Sequence, residues 1–330
     1  MKILFLVPPE SRRSQARLRI QPFAQAGLRA GLDITCREIP RRWYARYCFF
    51  SRLPRVDVLV VHRQTLSCFE LGMLRRLCST LVYDVADAAW TLPAGEFRTG
   101  RGSMDQALLE RRFGQMCRGV DLCLADNRLI AKKILNYQDM VRTIHTPIDV
   151  ECYRPGTGGK QGGVPLVGWI GLPGEEKLLE GTMDSLAAHG GGIQFSFLSA
   201  KPYAGPGHEY AMWSNWKKED EPSRIQAMDI GLVIHGDDEY SRAGSNVEVL
   251  RYMAAGVAVV ASDTGSNAAV IDHGIDGFLV REGGDWERYV VRLARDPELR
   301  RNMTETARRK VVDGHSLEKI SPRLWDALGA

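Results

Sequence analysis

DIGLVIHGDDEYSRAGSNVEVLRYMAAGVAVVASDTGSNAAVIDHGIDGFLV, residues 229–280, reads as strand, loop, helix, strand, loop and helix. The apolar run Asp229–Ile234 is a buried strand. The spacing of apolar residues in Asn246–Ala255 is helical, and Gly256 stands where a left-handed cap closes a helix. Val257–Ala261 is the next strand. The loop Ser241-Arg242-Ala243-Gly244-Ser245-Asn246 delivers the chain to the helix N-terminus, where free N–H groups and the helix dipole favour an anion. Gly244 lacks the side chain that would hold a phosphate off the backbone, and Arg242 offers a two-pronged phosphate contact. The same residues also suit a plain helix capped by Ser245 or Asn246, and the spacing leaves both readings open.

Outward from this stretch the strand–helix alternation continues in both directions, which implies parallel sheets covered by helices. Toward the C-terminus, Trp286–Val312 is helical with a break at Asp296-Pro297. Toward the N-terminus come a short helix at Ser223–Met228, a strand at Ile193–Ser199, a helix at Glu175–His189 and a strand at Pro165–Gly171. Residues 156–163 are mostly glycine and read as a linker. Before them, strands are expected at Lys2–Val7, Asp33–Ile39, Val56–His62, Thr80–Val85, Leu122–Ala125 and Val141–His145. The division expected is residues 1–155 as one domain, 156–163 as linker, 164–315 as a second domain, and 316–330 as a helix returning to the first. The fold class is α/β, with two Rossmann-like parallel-sheet domains facing a central cleft.

A chain of 330 residues accommodates two such domains. Hydrophobic residues at 44% and charged residues at 25% exclude a disordered or membrane-embedded class. The apolar start is too short for a signal peptide or a span, which favours a cytoplasmic protein. The seven cysteines (Cys36, Cys48, Cys68, Cys78, Cys117, Cys123 and Cys152) form no C-x-x-C pair. Most lie in apolar runs, as expected of reduced, buried thiols rather than a zinc site or disulfides. The net charge of +4 is unevenly placed: residues 1–154 hold 25 Lys and Arg against 15 Asp and Glu. A basic first half attracts an anionic acceptor or membrane surface; the signal for nucleic acid is weak.

Several segments together resemble the group 1 (GT4-like) retaining glycosyltransferases of the GT-B fold. They are Asp229-Ile230-Gly231-Leu232, Asp237-Asp238-Glu239, Tyr252-Met253-Ala254-Ala255-Gly256, Val259-Val260-Ala261-Ser262, Asp276-Gly277-Phe278-Leu279 and Asp296-Pro297-Glu298-Leu299-Arg300. Val167-Gly168-Trp169-Ile170-Gly171 with Lys177 resembles the first strand and loop of the same lobe. Thr146–Pro155 resembles the interdomain connection. The first half matches in patches, at Ser14–Arg19, His62-Arg63 and Tyr83–Trp90.

The resemblance implies transfer of a sugar from a nucleoside-diphosphate sugar to a hydroxyl of a glycan, lipid-linked or small-molecule acceptor. It implies a retaining reaction without metal or other cofactor. The implied donor set is Gly171, Lys177, Arg242, Gly244, Ser245, Asn246, Val247 and Arg251. Asp87, Asp84 and Glu239 are the catalytic candidates, and Arg13, Arg17 and Arg19 the acceptor-side cations. The sequence departs from the family pattern at Ala243 and Arg251, where the family has two glutamates, and at Gly244, where a lysine is usual. These departures motivate a competing reading, a non-catalytic GT-B protein that binds a nucleotide or glycan. Arg251 is expected to contact phosphate or to pair with Glu248 one turn back. The segment Arg41–Arg52 mixes arginine with aromatics and suits an anionic membrane surface, stacking against a sugar or lipid acceptor, or a buried aromatic face with solvated arginines. Trp213 and Trp216 are candidates for nucleobase stacking or for a surface loop.

Overall fold

The computed structural model describes residues 1–9, 15–92, 106–156, 163–171, 175–187, 192–199, 201–205, 207–281 and 285–330. Most of the glycine-rich linker and Arg13 lie outside them. In chain order the first elements are β1 (Lys2–Val7), α1 (Gln15–Arg29), β2 (Asp33–Glu38), α2 (Trp43–Ser51), β3 (Val56–His62) and α3 (Cys68–Arg75). Then follow β4 (Cys78–Val85), α4 (Gln106–Arg118), β5 (Leu122–Ala125), α5 (Arg128–Ile134) and β6 (Val141–Thr143). The alternation resumes with β7 (Leu166–Ile170), α6 (Glu180–Ala187), β8 (Gln194–Ser199), β9 (Ala211–Asn215), α7 (Glu221–Gln226) and β10 (Ile230–Val233). It ends with α8 (Glu239–Arg242), α9 (Val247–Ala254), β11 (Ala258–Ser262), β12 (Phe278–Val280), α10 (Trp286–Arg295), α11 (Pro297–Gly314) and α12 (Leu317–Leu328).

These elements form two compact units. The first comprises Met1–Pro147, Asp238–Ser245 and Leu317–Ala330; the second comprises Ile148–Asp237 and Asn246–Ser316. The chain therefore changes unit at Pro147–Ile148, ahead of the glycine-rich segment. The stretch Asp238–Ser245, which sequence assigns to the second domain, packs with the first.

The first unit holds a six-stranded sheet in the order β2-β1-β3-β4-β5-β6, parallel throughout. Its central strands β1, β3, β4 and β5 are apolar on both faces because both are covered, whereas the edge strands β2 and β6 are mostly exposed. Ile3, Phe5, Val58 and Val60 face α1 and α12, whereas Leu4, Leu6, Leu59 and Val61 face Phe50, Leu74, Phe113 and Met116. Trp325 of α12 meets Phe23 of α1 edge-on, 6.3 Å between centroids.

The second sheet has the order β12-β11-β10-β7-β8-β9, also parallel. Counted from β7, this is the 3-2-1-4-5-6 order of a dinucleotide-type fold, with its switch point between β7 and β10. Ligands of such sheets sit at the carboxyl ends of the strands beside that point. Helix α9 packs across the sheet, with the Tyr252 ring over Gly231, where a Cβ would stand 2.6 Å from it. The helix ends in a Schellman cap. Gly256 has φ +68°, its N–H reaches Met253 O at 3.2 Å, and Val257 N–H reaches Tyr252 O at 2.9 Å.

Three local readings are corrected. The end of the 229–280 stretch is the strand β12 rather than a helix, with only a 3-10 turn at Asn267–Ala269. Trp213 lies on the short strand β9 at the edge of the second sheet rather than in a loop. All seven cysteines are free, but only Cys117 and Cys123 are buried, while Cys36, Cys48, Cys68 and Cys152 are exposed.

Candidate functional site

At the carboxyl edge of the second sheet, β7 delivers Gly171 and β10 delivers His235. A side chain at Gly171 would stand 1.6 Å from the Trp169 ring, so glycine here leaves room for that indole. His235 is fixed from three sides. Its N–H donates to Ser262 Oγ at 2.9 Å, its carbonyl accepts from the same hydroxyl at 3.1 Å, and its Nδ1 lies 3.4 Å from Asn267 Nδ2. An amide NH₂ can only donate, so this contact suits the tautomer that has Nδ1 as acceptor and carries its proton on Nε2. That atom faces Glu248 Oε2 at 3.8 Å.

Helix α9 opens at the same edge. Its N-cap, Asn246, makes no capping bond; the side chain instead donates to Ser266 O at 3.5 Å. The first-turn N–H groups, which have no intrahelical acceptor, are thus left without a side-chain cap. Three buried polar atoms nearby in sequence, Ser245 Oγ, Thr264 Oγ1 and Asn267 Oδ1, have no hydrogen-bond partner among the described residues. Buried polar groups without a partner are rare in native proteins, and these three lie in the chain just before α9 and just after β11. Lys177 lies exposed in a 3-10 turn at Glu175–Leu178, after β7.

Arg251 pairs with Glu248 one turn back, as one of the two expectations had it, but its tighter partner is a distant carboxylate. The arginine is buried, and its Nη1 donates to Glu221 Oε1 at 2.6 Å, while Glu248 lies at 3.7 Å. Glu221 also accepts from Tyr153 OH at 2.7 Å and from Trp216 Nε1 at 2.6 Å. Burial alone would lower the Arg251 pKa; the Glu221 carboxylate outweighs it and raises the pKa above the usual arginine value. Arg251 is therefore a neutralised structural cation, not a phosphate ligand, and Trp216 is part of its cluster rather than a stacking platform. Glu221 was not singled out by sequence, because nothing in the short helix before β10 marks it.

In the first unit the edge formed by β3, β4 and β5 carries a second polar network. Arg19 of α1 is fully buried and grips Asp84 with Nε (2.9 Å) and Nη2 (2.7 Å), and Asp126 with Nη1 (2.9 Å). His62 Nδ1 lies 2.6 Å from Asp84 Oδ2, the oxygen that also accepts from Arg19 Nε. Asp126 accepts from the backbone N–H and hydroxyl of Thr146, both at 2.6 Å. Burial would raise the Asp84 pKa, but Arg19 and the His62 hydrogen bond hold it well below the usual carboxylate range. Burial likewise lowers the His62 pKa, against the pull of Asp84. Arg19 and Asp84 thus neutralise each other inside the fold, and neither presents a face to an acceptor. Arg17 lies half-buried on α1.

Asp87 is placed otherwise. It follows β4 and pairs with Arg63. Arg63 has φ +58°, a left-handed backbone uncommon outside glycine, held by its N–H to Asp84 O at 2.8 Å. Trp90, three residues on, donates from Nε1 to Glu239 Oε1 at 2.6 Å. Lys133 stands 3.7 Å from the same carboxylate and 5.5 Å from the Trp90 ring. Asn127 caps α5 through its Oδ1 and donates from Nδ2 to Ala243 O (3.1 Å) and Gly244 O (3.3 Å). These bonds, with Ala243 buried in the first core, are why Asp238–Ser245 joins the first unit. Arg242 is exposed at the end of α8. Sequence marked His62-Arg63 but assigned Arg63 no role, and it missed Asn127 and Asp126.

Residues 244–310 match the family described as Glycosyl transferases group 1. No curated protein sequence matches the chain. Among solved structures, HepE from Anabaena, in complex with UDP and glucose, is 15% identical with a TM-score of 0.74, over 100% of this chain and 99% of that one. Sucrose-phosphate synthase from Thermosynechococcus elongatus is 13% identical with a TM-score of 0.77, over 99% and 98% of the two chains. The lipopolysaccharide outer core galactosyltransferase WaaB, in its apo form, is 13% identical with a TM-score of 0.67, over 100% and 99%. The chain thus has the GT-B fold of glycosyltransferases, and its residues 244–310 carry the sequence signature of group 1 of that family.

Proposed function

We propose that this protein is a glycosyltransferase that moves a hexose or related sugar from a nucleoside-diphosphate sugar to a hydroxyl acceptor, with retention and without a metal. The observation that carries the reading is the uncapped N-terminus of α9, inside the family-matched residues, at the carboxyl edge of a parallel sheet. A diphosphate is the anion that such a terminus suits, and HepE, of the same fold, has been solved with UDP-glucose. In this reading the N–H groups of Asn246 and Val247 receive the diphosphate, with Gly244, Ser245 and Arg242 just before them in the chain and Gly171 and Lys177 after β7.

The chemistry asked of these groups is stabilisation of the negative charge that grows on the leaving phosphate. The bond from the anomeric carbon to that phosphate breaks as the acceptor oxygen bonds on the same face. The acceptor proton passes to the departing phosphate oxygen. Asp87, held by Arg63, is the carboxylate assigned to orient a hydroxyl; Glu239, shared by Trp90 and Lys133, is a second polar anchor. Asp84, Arg19 and Arg251 serve as internal supports. A thermal-shift panel of nucleoside-diphosphate sugars, followed by assay of released nucleoside diphosphate, tests this. Stabilisation and turnover by a donor, both weakened by Lys177→Ala and Arg242→Ala, are expected. Binding without turnover for every donor and acceptor tried would leave only a binding protein, and equal stabilisation of wild type and both variants would remove the phosphate assignment.

A further inference from the structure

Helix α2 is built in an unusual way for a surface helix. Its sequence, WYARYCFFS, contains one charged residue, and that one is used internally: Arg46 Nε donates to Pro40 O at 2.9 Å, and its Nη1 lies 3.4 Å from Glu70 of α3. Phe50 is fully buried in the core beneath, with Phe49 packed edge-on against it. The opposite face holds Trp43, Tyr44 and Tyr47, which are 82%, 55% and 61% exposed. Phe69, from the first turn of α3, is 66% exposed and stacks on Tyr47, with ring centroids 6.2 Å apart and planes within 15°. Reading these aromatics as core is correct only for Phe49 and Phe50. The outward face of α2 carries four ring or thiol side chains, counting Cys48, and no charge.

Charge is gathered at the two ends of the helix instead. Arg41 and Arg42 precede it and Arg52 and Arg55 follow, all exposed, and between residues 37 and 55 Glu38 is the lone acid. A contiguous exposed aromatic patch of this kind marks an interaction surface. Its chemistry is that of a water–lipid interface, where Trp and Tyr place an apolar ring among the acyl chains and a polar tip among the headgroups. Flanking arginines complement anionic phosphates. A protein partner of ordinary composition would leave the four arginines in need of matching carboxylates, whereas an anionic bilayer supplies both the apolar layer and the charge in one plane.

We propose that the outward face of α2, with Phe69, is a docking surface by which this protein rests on an anionic phospholipid bilayer, inserting shallowly through Trp43, Tyr44 and Tyr47. No helix among the described residues is long and apolar enough to cross a membrane, so the contact is peripheral. The inference stands on the first unit alone and does not require the sugar-transfer reading.

The test is flotation of the full-length protein with vesicles of phosphatidylcholine alone, and of phosphatidylcholine and phosphatidylglycerol in equal parts. Wild type is expected to float with the anionic vesicles, weakly with the neutral ones, and less as salt rises from about 0.1 M, where the Debye length is about 10 Å, toward 1 M. The triple variant Trp43→Ser, Tyr47→Ser, Phe69→Ser is expected to lose binding to both. The double variant Arg41→Gln, Arg42→Gln is expected to lose about fivefold per arginine on anionic vesicles only. All changes lie on exposed side chains, and a thermal melt matching wild type confirms that each variant is folded. Three results overturn the proposal. They are failure of wild type to float with anionic vesicles, flotation unchanged in the triple variant, or a concentration-dependent dimer abolished by the triple variant in protein that binds no vesicle.

Discussion

Arg251 illustrates how a buried charge is kept. Its guanidinium is out of water and survives there because Glu221 is within 2.6 Å and is itself held by Tyr153 and Trp216. Removing the cation alone strands the carboxylate, so Arg251→Ala should destabilise the fold by about 3–5 kcal/mol in chemical denaturation. The paired change Arg251→Met, Glu221→Gln should recover much of that loss, since the worst term is the unpaired charge. The Asp84–His62 pair makes a pH prediction. Asp84 has a lowered folded pKa, so its contribution is present above the unfolded value, about 3.9, and is lost as pH falls through the folded one. His62 is also lowered, so the unfolded chain takes up a proton below about 6.5 while the folded protein resists it. Both terms reduce stability on acidification, first below about 6.5 and then below about 3.9. His62→Gln should remove the upper step from a plot of unfolding free energy against pH. At the candidate site, Asp87→Asn should lower turnover by about a hundredfold while leaving donor-induced stabilisation intact.

Among the elements, α9 with its flanking strands is the best specified. Its apolar face, its Schellman glycine and the strand that follows are consecutive in sequence, so local reading finds them. Gly256→Ala should cost about 1 kcal/mol, because an L side chain is strained at φ +68° and the Pro155 ring stands 3.3 Å from the added carbon. Helix α2 was only partly legible: its apolar residues could be seen, but which of them face the core depends on the sheet beneath. The same holds for α12. Nothing in Leu317–Leu328 names its partner, yet Leu317, Ile320, Leu324 and Trp325 complete one face of the first core. Trp325→Ala should destabilise the protein by about 3–5 kcal/mol by thermal or denaturant unfolding.

At the scale of the whole molecule, two separately cored units are assembled from a chain that enters the first unit three times. Truncation before Leu317 should therefore expose the α1 side of the first sheet and yield aggregated or unfolded protein, although the lost residues are the last fourteen or so and lie outside the family-matched region. A donor bound only by the native protein, at about one hundred times its Kd, should add about 2.7 kcal/mol to stability, a shift easily seen in a thermal melt.

Local order was written in the sequence: the alternation of strand and helix, the parallel sheets, the helix start near Asn246 and its glycine stop follow from patterns within a turn or two, whereas the absence of a side-chain cap at Asn246 is seen only in the structure. The family resemblance put forward Asp87 and the residues around Gly244 as candidates for the proposed site. Tertiary structure decided the partners. Arg19 with Asp84, Arg251 with Glu221, Ala243 with Asn127 and Trp90 with Glu239 are separated by 30 to 149 positions along the chain. Charge and size fix what each of these side chains requires, but only the packed fold fixes which distant group supplies it, and so which charges are neutralised inside and which remain outside to meet a ligand.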